Sequence, residues 1–191
     1  MNYDLKLTDY LSECKSTQFE GDVYRATRAG LDPVAPSNRG GRWAPNGTCP
    51  VLYTSLTEEG ALAEISYHWA QLTPIPSKPI YMHKINVVTE NTIKLVETDI
   101  NSLKQFIGLD EESEYSLTQQ IGAAIEFLGF DGLIAPSARW NCDNLILYAN
   151  NHDEFSGKLE IMSTVEKDWK QWAKQNNFID NLSLSPSEGV S

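Results

Sequence analysis

The chain has 191 residues and carries 15 Lys and Arg against 26 Asp and Glu, so its formal net charge is −11. Such a charge argues against broad contact with nucleic acid phosphates or an anionic membrane surface. No apolar run reaches the ~18 residues of a membrane span, and the N-terminus lacks the basic and apolar regions of a signal peptide, so we expect a cytoplasmic protein. Three widely spaced cysteines and three histidines form no metal-binding motif, which predicts reduced thiols and no metal.

The hydrophobic patterns predict one α+β domain over residues 1–180 and a flexible, serine-rich tail over 181–191. Strands are predicted over 22–28, 50–55, 80–88, 92–96, 132–135, 145–149 and 158–162. Helices are predicted from a capping box at Ser55 to about Gln71, over 99–107, over 116–128 with Gly129 as C-cap, and from Ser163 onward. Trp169 and Trp172 share a face of the last helix, and we interpret them as core or interface packing.

A basic island interrupts the acidic chain between residues 21 and 48. It holds Arg25, Arg28, Arg39 and Arg42 against two aspartates, a local balance of 4 − 2 = +2. Arginine forks match phosphate and carboxylate oxygens in two-point contacts. Residues 30–49 are also rich in Gly and Pro, which is typical of a functional loop. The island therefore indicates either a pocket for a phosphorylated ligand or surface arginines that pair with nearby acids.

Two further segments carry polar residues where a site often forms. Tyr53 and Ser55 lie on one face of the second strand, and Glu64 follows about two turns into the next helix. Ser137 stands where a buried strand opens into a loop. Each has a structural alternative, since Glu64 could be a solvated helix residue and Ser137 could cap a turn.

A set of short motifs occurs in a fixed order along roughly residues 20–150. They are Tyr24-Arg25, Gly40-Gly41-Arg42-Trp43, Gly47, Tyr53-Thr54-Ser55, Ala63-Glu64, Phe130-Asp131-Gly132, Ser137 and Asn144-Leu145. Taken together, they resemble the RES domain, which is named for its Arg, Glu and Ser signature. The resemblance implies an ADP-ribosyltransferase-like fold, with two small packed β-sheets flanked by helices around an NAD cleft.

The resemblance also implies roles for individual residues. It assigns catalysis to Arg25, Glu64 and Ser137, with NAD as the substrate. The resemblance further implies that NAD is bound by residues of the loop, of the second predicted strand and of the position just before the sixth. These residues are Arg42, Arg39, Trp43, Tyr53, Ser55 and Asn144. Arg39 is a departure, because many family members carry an aromatic residue just ahead of the two glycines; Tyr53 or Trp43 could replace that ring.

The family resemblance implies a toxin that cleaves the nicotinamide–ribose bond of NAD, as a glycohydrolase or a phosphorylase. Two alternatives remain open: mono-ADP-ribosylation of a specific protein, and a non-catalytic binding module on the same scaffold. The implied partner is an Xre-like antitoxin, and a homodimer or a larger toxin–antitoxin assembly is expected without direct binding to nucleic acid or membrane.

Overall fold

The computed structural model describes residues 4–107, 114–152 and 158–179. The helices are α1 (Leu5–Glu13), α2 (Glu58–Ala70), α3 (Glu97–Ile107), α4 (Glu114–Phe127) and α5 (Trp169–Gln175). The strands are β1 (Ser16–Thr27), β2 (Val51–Ser55), β3 (Ile80–Lys94), β4 (Gly132–Pro136), β5 (Asp143–Tyr148) and β6 (Leu159–Lys167). The mixed α and β composition agrees with the predicted class, whereas the predicted tail over 181–191 lies outside the described residues.

The strands form two three-stranded halves, β6-β3-β1 and β2-β5-β4, that are joined at both junctions. β1 meets β2 at the pair Tyr24 and Ser55, and β3 runs parallel to β4 over residues 92–94. All six strands therefore belong to one sheet, in which β1 to β5 close into a ring and β6 pairs with β3, where the resemblance had implied two small packed sheets. Alternate side chains from both halves fill the enclosed interior. They include Val23, Leu52, Ile85, Val87, Leu145 and Leu147.

Two helical layers cover the outer faces of this sheet. α1, α3 and α4 pack on β2, β4 and β5 through the largest cluster of buried side chains. α2 and α5 cover part of β3, where Trp169 is 1% exposed and meets Trp69 edge-on at 5.2 Å between ring centroids. Trp172 packs against Trp140 and Phe178. The predicted packing role is thus confirmed, with Trp169 in the core and Trp172 half-buried against its two aromatic neighbours.

Three predicted boundaries are wrong, and in each case a tertiary contact outweighs the local pattern. Residues 80–88 and 92–96 were expected as two strands, but β3 continues to Lys94 because Asp131 accepts the backbone N–H groups of Glu90 and Asn91 at 2.7 and 2.9 Å. The segment from Ser163 was expected as a helix, but it pairs with β3, and α5 begins after its N-cap Asp168.

The third boundary is the start of α2. Thr57 is its N-cap, since Oγ1 accepts the Gly60 N–H at 3.1 Å, while Ser55 still belongs to β2.

Two other helix ends complete the comparison. Gly129 follows the end of α4 as predicted, with a φ of +84° that favours glycine. α1 was not predicted; Asp4 caps it, and it buries Leu7 and Leu11.

In the described ranges, no helix combines the length and the apolar character needed to cross a membrane.

Candidate active site

A cleft of about 410 Å³ opens between α2, the end of β1, the glycine-rich loop and the turn after β4. Most of the residues predicted for the site line it. These are Arg25, Arg42, Trp43, Tyr53, Ser55, Glu64 and Asn144. Ser137 joins them through a direct contact with Glu64. Residues between 25 and 144 are thus brought together from six segments of the chain.

Glu64 is the centre of a small hydrogen-bond network. Its Oε1 accepts from Ser137 Oγ at 3.1 Å and from Asn144 Nδ2 at 3.2 Å. Both bonds end on the same oxygen, which leaves Oε2 without a hydrogen-bond partner in the described part of the chain. The carboxylate is therefore oriented by two partners and is not simply a solvated helix residue.

The strand register explains why these partners meet. Asn144, at the start of β5, lies between Ser55 of β2 and Ala135 of β4. Ser137 follows β4 and closes the β4–β5 turn, where its N–H donates to the Cys142 carbonyl at 2.9 Å. Its hydroxyl also accepts the Arg139 N–H at 3.1 Å. The turn thus fixes the Ser137 hydroxyl opposite α2, so the capping role and the contact with Glu64 coexist.

Asn144 carries an unpaired acceptor. Its Nδ2 is used by Glu64, but its Oδ1 is buried without a hydrogen-bond partner. A buried acceptor left unpaired is costly and rare in folded proteins. Asn144 lines the cleft, but this oxygen is itself closed off from solvent, so its missing partner is a feature of the packing around the start of β5.

Two guanidinium groups face the same cleft. Arg25 Nη1 donates to the Tyr53 carbonyl in a long contact of 3.5 Å, and burial lowers the pKa of Arg25, only partly opposed by Asp32. Arg42 Nη1 donates to the Pro136 carbonyl at 2.8 Å. Within the described ranges, all four ion pairs use lysine, so the alternative of arginines paired with surface acids is not realised there. An anionic ligand would offset the cost of the half-buried Arg25 charge.

The glycine-rich loop fits against the site through backbone contacts. Gly40 has a φ of +73°, and a Cβ at Gly41 would come within 2.7 Å of the Tyr53 hydroxyl. That hydroxyl accepts the Trp43 N–H at 3.0 Å. The Trp43 ring is 2% exposed and packs in the core cluster. The ring therefore supports the cleft wall, and its surface available for stacking on a substrate is small.

Several lining residues had no role in the sequence-based prediction. Tyr24 of β1 and the α2 residues Ile65, His68 and Trp69 face the cleft, as does Arg139, which lies 3.4 Å from the centroid of the Tyr67 ring. His68 lies four residues after Glu64 and shares its helix face, whereas Ile65 and Trp69, themselves four apart, lie on the adjoining face. This spacing is a signal that the sequence contained.

Arg39 and Ser55 differ from expectation in their surroundings. Arg39 does not line the cleft; it lines an adjoining depression of about 310 Å³. Ser55 lines the cleft but is 2% exposed, with Oγ 3.4 Å from Cys142 Sγ.

In the part of the chain that the structure describes, no group of three or more His, Cys, Asp or Glu is placed to hold a metal ion.

Comparison with known proteins places this geometry in a family. The model of the RES domain matches residues 21–170. Among solved structures, the chain is similar to a chain of the M. tuberculosis MbcT–MbcA toxin–antitoxin complex, with a TM-score of 0.72 and 20% identity over 90% of this chain and 97% of that one. No curated protein sequence matches significantly. The family match covers most of the sequence, and this chain belongs to the RES domain family.

Proposed function

We propose that this chain is the toxin of a toxin–antitoxin pair and acts by cleaving the nicotinamide–ribose bond of NAD. The observation that carries the proposal is the Glu64 carboxylate, held through one oxygen by Ser137 and Asn144 inside a cleft that also contains Arg25 and Arg42. Membership of the RES domain family supports the same reading.

The chemistry of NAD fits these groups. When the C–N bond breaks, its electron pair leaves with nicotinamide and positive charge develops on the ribose. The free Oε2 of Glu64 would stabilise that charge and accept a hydrogen bond from a ribose hydroxyl. Ser137, already bonded to Glu64, would orient the ribose or the nicotinamide amide.

The remaining groups would hold the rest of the substrate. Arg25 and Arg42 would bind the pyrophosphate, since guanidinium forks match phosphate oxygens. Tyr53 and Tyr24 would supply ring surface next to the substrate. This arrangement needs no covalent nucleophile and no metal.

Incubation of the purified chain with NAD tests the proposal directly. We expect release of nicotinamide, and the second product identifies the acceptor. ADP-ribose indicates water, ADP-ribose 1″-phosphate formed only in the presence of phosphate indicates phosphorolysis, and an ADP-ribose mass added to a protein in cell lysate indicates a transferase. Unchanged NAD in all three arms would contradict the proposal and favour a non-catalytic binding module.

We also propose an antitoxin partner of the Xre-like type. The similar solved structure is a toxin–antitoxin complex, which supports a partner of this general kind. Co-expression with the candidate antitoxin should restore growth that the chain alone arrests. Light scattering of the purified pair would then give its stoichiometry and show whether the toxin enters it as a dimer.

A further inference from the structure

The β4–β5 turn carries the hydroxyl that orients the Glu64 carboxylate. Ser137 Oγ donates to Glu64 Oε1 at 3.1 Å and accepts the Arg139 N–H at 3.1 Å. The carbonyl of the next residue, Trp140, accepts the Cys142 N–H at 2.9 Å and closes the tip of the turn. The position of the Ser137 hydroxyl therefore depends on where Arg139 and Trp140 are held.

Arg139 is held by a tyrosine of α2. Its guanidinium carbon lies 3.4 Å from the centroid of the Tyr67 ring, and a cation over the face of an aromatic ring is attracted to it. In the described ranges, Arg139 takes part in none of the ion pairs. Tyr67 follows Glu64 by three residues on α2, so the two side chains are neighbours on the helix surface. One helix thus carries both the carboxylate and the ring that holds the turn.

Trp140 is held by aromatic side chains of α5 and the segment after it. Its ring centroid lies 5.3 Å from that of Trp172 at an angle of 54°, and Trp172 stacks on Phe178 at 5.6 Å. All three rings are half-buried, and aromatic pairs at such distances stabilise beyond the area that they bury. Because α5 also packs on α2, the tip of the turn is held at two successive residues by two helices that contact each other.

We propose that Tyr67 and Trp140 are positioning residues for catalysis: they hold the β4–β5 turn against α2 and α5 and thereby keep the Ser137 hydroxyl where it orients Glu64. Neither ring lines the cleft, so both act through the turn and not on a bound ligand. The proposal rests on the proposed function, because the carboxylate that is positioned is the one assigned to the ribose. Loss of either ring should lower kcat far more than it changes KM, since Arg25 on β1 keeps its place.

The first test is the steady-state kinetics of nicotinamide release from NAD by Tyr67→Leu and Trp140→Ala. We expect kcat to fall about tenfold or more in each, the scale for a slightly misplaced reacting group, and KM to change by less than about twofold. Tyr67→Phe keeps the ring face under the guanidinium and Trp140→Phe keeps an aromatic contact with Trp172, so both should restore kcat. Tyr10→Leu is the matched control, because Tyr10 is a helical tyrosine of α1 that is 37% exposed.

Amide hydrogen exchange, followed by NMR, tests the same contacts without catalysis. The Arg139 N–H is bonded to Ser137 Oγ, so its exchange rate reports local opening of the turn. Tyr67→Leu should speed this exchange roughly three- to tenfold, the scale of one partly exposed cation–π contact, whereas Tyr10→Leu should leave it unchanged.

A wild-type kcat in both Tyr67→Leu and Trp140→Ala, a change confined to KM, or phenylalanine variants as slow as these two would overturn the proposal. Unchanged exchange of the Arg139 N–H in Tyr67→Leu would overturn it as well. The two measurements also separate this inference from the proposed function. If the wild type cleaves NAD and the ring substitutions leave kcat intact, only this inference falls; if exchange quickens as expected but no NAD is cleaved, only the reaction assigned to Glu64 falls.

Discussion

Two hydrogen bonds to a single oxygen give the Glu64 carboxylate a defined direction. Ser137 and Asn144 both donate to Oε1, and Ser137 is itself fixed by the backbone of its turn. The free oxygen is thereby turned toward the cleft without a second partner competing for it in the described residues. We interpret Asn144 as a residue that positions Glu64, in addition to any contact with the substrate.

Asn144→Ala should lower the rate of NAD cleavage by roughly ten- to a hundredfold, the scale for a misplaced reacting group. If Asn144 acts through Glu64, adding this change to Glu64→Gln should cost nothing further, which initial rates of the double variant would measure. Asn150→Ala is the control, since Asn150 donates to Glu126 at 2.9 Å in a similar but exposed pair. Full additivity of the two cleft substitutions would exclude the positioning role.

A single buried histidine, His83, makes the stability of the folded protein depend on pH. His83 lies between Thr27 and Thr164, at 2.8 and 2.9 Å, and burial followed by the charge of Arg25 lowers its pKa from the ordinary value of 6.5. The unfolded chain therefore binds the proton more readily than the folded one. Stability from the neutral ring is present above about pH 6.5 and is lost as the pH falls toward the lowered pKa.

Thermal unfolding between pH 7.5 and 5.5 checks this effect. The wild-type melting temperature should fall over this range by more than that of His83→Gln, which keeps polar atoms near the two threonines but cannot take up the proton. Parallel curves for the two proteins would show that His83 does not titrate as proposed.

At the scale of elements, the sequence predicted those whose local signals agree with their packing. β2, β4 and β5 lie within about two residues of their predicted bounds, because short apolar runs end at clear turns. β6 could not be predicted beyond Met162, since Ser163 and Glu166 form a helix-cap pattern that pairing with β3 overrides. Such pairing depends on residues some 80 positions away, which no local pattern contains.

The sequence likewise predicted only part of the candidate active site, because side-chain placement there depends on contacts distant along the chain. The order of motifs predicted that Arg25, Arg42, Glu64 and Asn144 would share a cleft, and they line the same one. It could not show that the turn at Gly40, with its positive φ, would leave Arg39 in the neighbouring depression. Nor could it show that the Trp43 ring packs into the core.

Close packing between α4 and the glycine-rich loop gives a stability prediction. A Cβ at Gly122 would overlap the Trp43 carbonyl oxygen. Gly→Ala within a helix ordinarily stabilises by up to ~1 kcal/mol. Here Gly122→Ala should instead lower the free energy of unfolding by at least about 2 kcal/mol, because the backbone of the loop must move. Urea unfolding measures the sign, and a gain in stability would show that the helix and the loop separate easily.

Across the whole molecule, lysine and arginine have different surroundings. Each of the four ion pairs in the described ranges joins a lysine to an acid, and exposed pairs of this kind contribute only ~0–1 kcal/mol. The arginines lie instead at the cleft, at its neighbouring depression or against an aromatic ring. The chain as a whole thus has a net charge of −11, whereas arginines line the cleft and its neighbouring depression.

If this arrangement directs Glu64 to the ribose of NAD, as we propose, removal of the Glu64 charge must slow the cleavage. The most direct measurement compares initial rates of nicotinamide release from NAD by the wild type, Glu64→Gln and Glu59→Gln. Glu59 is the matched control, because it is exposed and lies on the same helix. We predict a loss of at least ~10²-fold for Glu64→Gln, the scale for removing a preorganised electrostatic group, and a near wild-type rate for Glu59→Gln. Folded Glu64→Gln protein that releases nicotinamide at the wild-type rate would contradict the account.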